Sequence, residues 1–301
     1  MKIKMLCVAA AVAAAAVMPA QAGKVADHVI LIGLDGWGSY SVERAEMPRV
    51  KAEMERGSWT LAKRSVFPSS SAPNWASMFM GAGPELHCYT EWGSRAPEFP
   101  SRAIGDHGIF PTVFQIARRQ MPDAEIGCLY EWDGIKYLVD TLAMNYHAQA
   151  PDFQKHPEAL ADMAAEYIKT KKPTLAAICF DNPDHSGHTD GHDTPGYYAT
   201  LKQLDVYVGR IIDALKEAGI YDNTAIIITA DHGGIDKGHG GRTMMEMETP
   251  FIISGKGIRK GGEFKESMMQ YDVAATIAAL LGLEQPQVWV GRPMTQVIEE
   301  R

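Results

Sequence analysis

Seven side chains, six of them in four short motifs and Asp35 in Asp35-Gly36, carry the chemistry this chain could do: Asp35, Ser71, Asp184, His188, Asp231, His232 and His239. Asp231-His232-Gly233 sets a carboxylate beside an imidazole, and Gly233-Gly234 permit the sharp turn that would aim both at one ion. In Asp184-x-x-Gly187-His188-x-x-Gly191, carboxylate and imidazole stand four positions apart among glycines that let a loop wrap a second ion. His239, inside Lys237-Gly238-His239-Gly240-Gly241, offers another imidazole on a flexible segment. Ser71 lies in Phe67-Pro68-Ser69-Ser70-Ser71-Ala72-Pro73-Asn74, at what reads as a helix start. There, free backbone N–H groups and the positive end of the helix dipole favour an alkoxide or a bound phosphate. Taken singly, these motifs are a solvated loop, a surface histidine and a serine cap. Taken together, they are the donor set of a two-metal site with a hydroxyl nucleophile, suited to phosphoryl or sulfuryl transfer. Mixed imidazole and carboxylate ligands suit two divalent ions, Zn²⁺ first and Mn²⁺ next.

Ligands this far apart in sequence need a scaffold to gather them. Apolar runs of strand length alternate with helical patterns, which predicts an α/β protein, a three-layer α/β/α sandwich around a mostly parallel central sheet. Strands are predicted over 28–34, 60–66, 125–130, 174–180, 224–229 and 251–254. Helices are predicted over 49–56, 73–80, 111–121, 157–170, 195–218 and 272–281. Asp35, Asp184 and Asp231-His232 then fall just past the carboxyl ends of strands, where open α/β sheets collect ligands. Residues 83–108, rich in Gly, Pro and Ser, are predicted as loops near the site. His185, Asp190, His192 and Asp193 crowd the Asp184 motif and are expected to support ligands or face solvent. Trp37, Trp75, Tyr130 and Trp132 lie near the sheet edge or the nucleophile helix. Core packing is expected for at least half of them, and stacking on a leaving group for the rest.

Residues 1–22 read as a cleavable signal peptide, with Lys2 and Lys4, an apolar run from Leu6 to Val17, and Ala20-Gln21-Ala22. The run is shorter than the roughly 20 residues a spanning helix needs, so an exported protein, periplasmic or secreted, is expected. Cys7 lies inside the run rather than at its end, which argues against lipid attachment. Residues 23–301 are expected to form a single catalytic domain, and no later apolar stretch is long enough to span a membrane. A formal charge of −8 argues against a nucleic-acid or anionic-membrane binding surface. A small anionic substrate stays open, because bound divalent ions would dominate the local field. Beyond the leader stand Cys88, Cys128 and Cys179. Export permits a disulfide but the odd count requires none, so a Cys88–Cys128 pairing stays open and Cys179 is expected in the core. Nothing in the sequence sets an oligomeric state.

Together the motifs resemble the alkaline phosphatase superfamily, and most closely its type I phosphodiesterase/nucleotide pyrophosphatase branch. That branch carries Phe-Pro-Thr-x-Thr-Phe-Pro-Asn around a threonine nucleophile, and this chain reads FPSSSAPN. The resemblance implies Ser71 as nucleophile and Asn74 as the asparagine that holds a substrate oxygen. It implies one metal on Asp35, Ser71, Asp231 and His232 and another on Asp184, His188 and His239. Gly81 to His87 also looks like the branch, with Cys88 where a glycine is usual, and Gly291-Arg292-Pro293 fits its close. The seven-residue spacing of His232 and His239, with Glu246 and Pro250 downstream, is similar to sulfatases instead. Sulfatases, however, oxidise a Cys or Ser in a C/S-x-P-x-R string, and Trp75 stands here where that arginine would be.

The implied function is an exported, metal-dependent hydrolase that cleaves small phosphodiester or pyrophosphate substrates through a phosphoseryl intermediate. The missing arginine, and the lack of a recognisable cation for a terminal dianion, favour diesters. The alternatives are a phosphomonoesterase or sulfatase of the same superfamily, or, in a different class, a non-catalytic metal- or glycan-binding protein on the same scaffold.

Overall fold

Every residue from Val29 to Leu34 in strand β1 (His28–Leu34) is buried, yet the strand feeds two separate cores. Val29 and Leu31 enter one; Ile30, Ile32 and Leu34 enter the other. An unbroken apolar run split with period two is what a strand covered on both faces requires. The computed structural model describes residues 23–300, and the signal peptide expected over 1–22 lies outside them.

After β1 come α1 (Pro48–Arg56), β2 (Ser58–Arg64), α2 (Ser71–Met80), α3 (Pro84–His87) and α4 (Val113–Gln120). Next are β3 (Ile126–Tyr130), β4 (Tyr146–Gln149), α5 (Ala159–Lys171), β5 (Leu175–Phe180), α6 (Asp184–Asp190) and α7 (Pro195–Glu217). The last are β6 (Thr224–Thr229), α8 (Met244–Met247), β7 (Glu248–Gly255), β8 (Gly262–Glu263) and α9 (Asp272–Leu281). The strands form one sheet in the order β4-β3-β5-β1-β6-β7-β2-β8. It is parallel from β4 through β6, while β7 runs antiparallel to both of its neighbours. Helices α2, α4 and α9 cover one face and α1, α5 and α7 the other, giving the expected three layers. With β1 between β5 and β6, the strand ends that precede Asp35, Asp184 and Asp231 are neighbours.

Several expectations need correction. The segment starting at Asp184 is the helix α6 rather than a loop. β2 spans Ser58–Arg64 rather than 60–66, and α5 begins at Ala159 rather than on Pro157. The short edge strands β4 and β8 were not predicted, and α3 interrupts the loop expected over 83–108. The Cys88–Cys128 pairing is not made: Cys88, Cys128 and Cys179 are free and buried.

Candidate active site

Asp35 directly follows β1. Its N–H still pairs with β5, donating to Phe180 O at 3.0 Å, and its carbonyl accepts from Asp184 N at 2.9 Å. Gly36 makes that approach feasible, since its φ is +70° and a Cβ there would collide with Asp184. Tyr197 holds the turn, its hydroxyl donating to Gly36 O at 2.9 Å and accepting from Gly38 N at 3.3 Å. Asp231 lies just past β6, its carbonyl accepting from Ser65 Oγ at 2.8 Å. The chain turns at Gly233 and Gly234 without positive φ at either. They are small because a Cβ would collide with Met245 O at one and with the His192 ring at the other.

All seven expected donors converge. Donor atoms of Asp35, Asp231 and His232 lie within 4.8 Å of one another, as do those of Asp184, His232 and His239, so His232 belongs to both groups. Its Nε2 is 3.2 Å from Ser71 Oγ, 3.3 Å from Asp231 Oδ2 and 3.4 Å from Asp35 Oδ1. Its Nδ1 faces Gly233 O at 2.8 Å, so Nδ1 carries the hydrogen and Nε2 presents a lone pair. Burial keeps this imidazole neutral, with its pKa down to about 3. His239 stacks on it at 4.0 Å between ring centroids, with Nε2 3.8 Å from Asp184 Oδ2. His188 sits at the rim, its side chain 46% exposed and its Nε2 3.0 Å from Asp184 Oδ2, one turn along α6.

Asp35 and Asp231 are each oriented through one oxygen. Trp75 Nε1 donates to Asp35 Oδ2 at 2.9 Å, and Gly36 N donates to Asp231 Oδ1 at 3.1 Å. Asp35 Oδ1, Asp184 Oδ1 and Asp231 Oδ2 are buried without a hydrogen-bond partner. Carboxylate oxygens left bare around an imidazole lone pair call for a cation, and this donor set fits divalent ions. Burial, then repulsion from Asp231 and Asp184, pushes Asp35 well above the usual carboxylate range. Burial likewise raises Asp231, with Asp184 adding to it. Burial is the largest effect on Asp184 and works the same way, but the hydrogen bond from His188 and the interactions with His232 and His239 together outweigh it and hold the carboxyl low.

Ser71 is the first residue of α2 and is 8% exposed. The backbone donors expected at this helix start are partly engaged. Ala72 N donates to Trp92 O at 3.1 Å, Asn74 N donates to Ser70 O at 3.3 Å, and Pro73 has none. Asn74 is fully buried. Its Oδ1 accepts from Val66 N at 2.7 Å, and its Nδ2 donates to Ser70 O at 2.9 Å and Pro68 O at 3.0 Å. In this conformation the amide braces the Phe67–Ser71 loop and is not turned to a substrate.

His192 is the buried imidazole of its crowded motif, and neither ring nitrogen has a hydrogen-bond partner. It is buried 3.7 Å behind Asp184 Oδ1, whereas His185 and Asp190 are exposed and Asp193 pairs with Arg44. Trp37, Trp75 and Tyr130 are core residues, and Trp132 packs against the core. The aromatic side chain that does face the site is Trp92, 67% exposed. It lines a cleft of about 560 Å³ with Ser70, Glu91, His188 and His239. Sequence reasoning placed its loop near the site but did not single it out. The available signal was a tryptophan inside a Gly/Pro/Ser-rich segment, where no core periodicity accounts for it.

A mostly parallel sheet, covered on both faces, with a serine, carboxylates and imidazoles gathered at its carboxyl edge is an architecture suited to a hydrolase. The profile of the type I phosphodiesterase / nucleotide pyrophosphatase family matches residues 29–275. The chain belongs to that family, and with it to the alkaline phosphatase superfamily. Bis(5'-adenosyl)-triphosphatase of Mus musculus is 23% identical over 224 residues, 69% of this chain and 47% of that one. A 2,3-bisphosphoglycerate-independent phosphoglycerate mutase of Haloarcula marismortui is 30% identical over 144 residues, 46% of this chain and 26% of the other. The chain thus spans less than half the length of these curated relatives. Among solved structures, murine ectonucleotide pyrophosphatase/phosphodiesterase 5 is similar with a TM-score of 0.71 at 16% identity, covering 90% of this chain and 100% of that one. A 2-O GAG sulfatase is similar with a TM-score of 0.73 at 14% identity, over 91% and 75% of the two chains. Both likenesses concern the fold.

Proposed function

We propose that this chain hydrolyses phosphodiester or pyrophosphate bonds with Ser71 as nucleophile. What carries the reading is the 3.2 Å approach of Ser71 Oγ to the lone pair of His232 Nε2, beside carboxylate oxygens that have no partner. Asp35, Asp231 and His232 with Ser71, and Asp184, His188 and His239, would hold two divalent ions, which when bound supply Lewis-acid stabilisation and lower the pKa of the serine. Ser71 Oγ attacks phosphorus in line, the bond from phosphorus to the leaving oxygen breaks, and a phosphoseryl intermediate results. Hydrolysis of that ester then restores the serine. Trp75 keeps Asp35 in orientation, and Asn74 holds the loop that presents Ser71.

Two observations favour diesters over monoesters and sulfates. The described lining of the cleft contains no lysine or arginine to balance an extra charge on a terminal dianion. Trp75, at the position of the sulfatase arginine, is buried and hydrogen-bonded to Asp35, so the serine lacks that context for oxidation. The short His232–His239 connection keeps sulfate ester hydrolysis as the second reading. Zinc-loaded protein should turn over a nitrophenyl phosphodiester with a higher kcat/KM than the matched monoester, and a far higher one than the matched sulfate. A larger value for either competitor overturns the ranking.

The basic, apolar and Ala-Gln-Ala start of the sequence supports export, to the periplasm or beyond. Mass analysis of the secreted product should find an amino terminus near Gly23, and a product that retains Met1 counts against it. No helix among the described residues is long and apolar enough to cross a membrane.

A further inference from the structure

Behind the nucleophile helix lies a lysine that the proposed chemistry does not use. Lys63, near the end of β2, is fully buried. Its Nζ donates to Ala230 O at 2.8 Å and to Gln270 Oε1. Gln270 is fully buried too, and its Nε2 donates to Ala230 O and to Asn74 O, each at 3.3 Å. Its backbone N–H donates to Arg64 O at 2.9 Å. Two side chains thus link three segments that no strand pairing joins at this point. These are the residue before Asp231, the first turn of α2 that carries Ser71, and the exit of β2. The same exit supplies two more ties, Ser65 Oγ to Asp231 O at 2.8 Å and Val66 N to Asn74 Oδ1 at 2.7 Å.

Packing alone does not call for a lysine here. Removing an ammonium from water is expensive, and an apolar side chain of similar volume is often as stable or more so. A methionine would fill the same space without a charge. The feature that methionine could not reproduce is the set of directed hydrogen bonds. We propose that Lys63 and Gln270 are positioning residues, a buried brace that sets Ser71 on α2 against Asp231 and His232 beyond β6. The proposal rests on the reading of Ser71 as nucleophile. In such a site a displacement of about 1 Å can lower the rate about 100-fold.

The test is Lys63→Met, with Lys63→Met/Gln270→Met as a second variant that removes donor and acceptor together and leaves neither group unpaired. Both are assayed as zinc-loaded protein on whichever ester the parent turns over fastest. Lys63→Met should lower kcat about 10- to 100-fold while KM moves by less than about threefold. Lys63→Met leaves Gln270 Oε1 without its donor and should melt below the parent, whereas the double variant should melt no lower than the single one while staying slow, which a purely structural lysine would not allow. The double variant should be no slower than the single one by more than about threefold, because the pair acts as a unit. In a crystal structure of either variant the 3.2 Å separation of Ser71 Oγ and His232 Nε2 should change. The brace is refuted by a parental kcat in whichever variant folds, by a rate that recovers together with melting temperature in the double variant, or by an unchanged Ser71–His232 separation. Ser71→Ala, assayed alongside, separates this failure from the other. Parental activity in Ser71→Ala would remove the nucleophile assignment itself, whatever Lys63→Met does.

Discussion

Deleting the Ser71 hydroxyl removes its contact with His232 and leaves six donors and the frame of α2 in place. Ser71→Ala should therefore lose turnover by roughly 10⁴-fold or more while keeping its melting temperature and bound metal. Its neighbours are internal controls. Ser70 Oγ is buried without a partner, so Ser70→Ala should change little. Ser69 Oγ donates to Gly241 O at 2.6 Å and its carbonyl faces His239 Nδ1 at 3.3 Å, so Ser69→Ala should weaken the His239 loop without abolishing activity. A near-parental Ser71→Ala beside an inactive Ser69→Ala or Ser70→Ala moves the nucleophile. At this scale the convergence of these side chains was legible, because residue type pointed to all seven and strand-end position to Asp35, Asp184, Asp231 and His232. The role of Asn74 was not. A motif aligns a position, but the hydrogen bonds that occupy its amide come from Val66, Pro68 and Ser70, and those depend on the fold of the loop. Trp92 escaped for the converse reason, since exposure on a loop leaves no periodic trace.

Elements were readable in proportion to their burial. β1, β6 and α9 begin and end where their apolar runs do, because both faces of each strand and nearly all of the helix are buried. α6 was not readable. Its sequence DHSGHTD is poor in helix formers, and its start is set by a tertiary bond from Asp184 N to Asp35 O. β4 is four residues long, mostly exposed and paired only with β3, too short for an alternating pattern. Packing between elements has one checkable consequence. Gly33 of β1 lies under the Trp75 ring of α2, and a Cβ there would collide with it. Gly33→Ala touches no ligand, yet it should displace the indole whose Nε1 orients Asp35. Overpacking of this kind destabilises by about 1–3 kcal/mol, and activity should fall further than that loss alone explains, by about 10- to 100-fold. Urea unfolding and steady-state kinetics on the same preparation measure both. Undiminished kcat in a destabilised Gly33→Ala would show that Trp75 does not control Asp35.

Over the whole molecule, buried acids make the metal-free fold sensitive to pH. Burial, then Asp184, pushes Asp231 up to about 8, and burial takes Glu131 to about 8 against a hydrogen bond from Asp181 N that lowers it. The hydrogen bond to Asp184 lifts His188 to about 9, an effect muted by its exposure. A group whose pKa is higher folded than unfolded holds more protons in the fold. Its contribution is complete below the unfolded pKa and disappears as pH rises through the folded one. For the two carboxyls that decline runs from about pH 4 to about 8, and for His188 from about 6.5 to about 9. Lys63 acts oppositely, since burial lowers it to about 7, and its share of stability rises from about pH 7 to about 10.5. These three losses outweigh the beginning of the Lys63 gain and the last part of the gain from His87, His192 and His232, which burial holds low, so the metal-free protein should be more stable at pH 6.5 than at pH 8. Divalent ions reverse the order at the site, because ligation needs ionised carboxylates and neutral imidazoles and therefore tightens as pH rises. With free zinc at about 100 times Kd, the stabilisation is about 2.7 kcal/mol. The zinc-dependent rise in melting temperature should thus be larger at pH 8 than at pH 6.5, with about two ions per chain by elemental analysis. Chelation should remove both the rise and the activity. An equal zinc effect at the two pH values, or full activity with no more than about one ion bound, would take Asp35, Asp184 and Asp231 out of the ligand set.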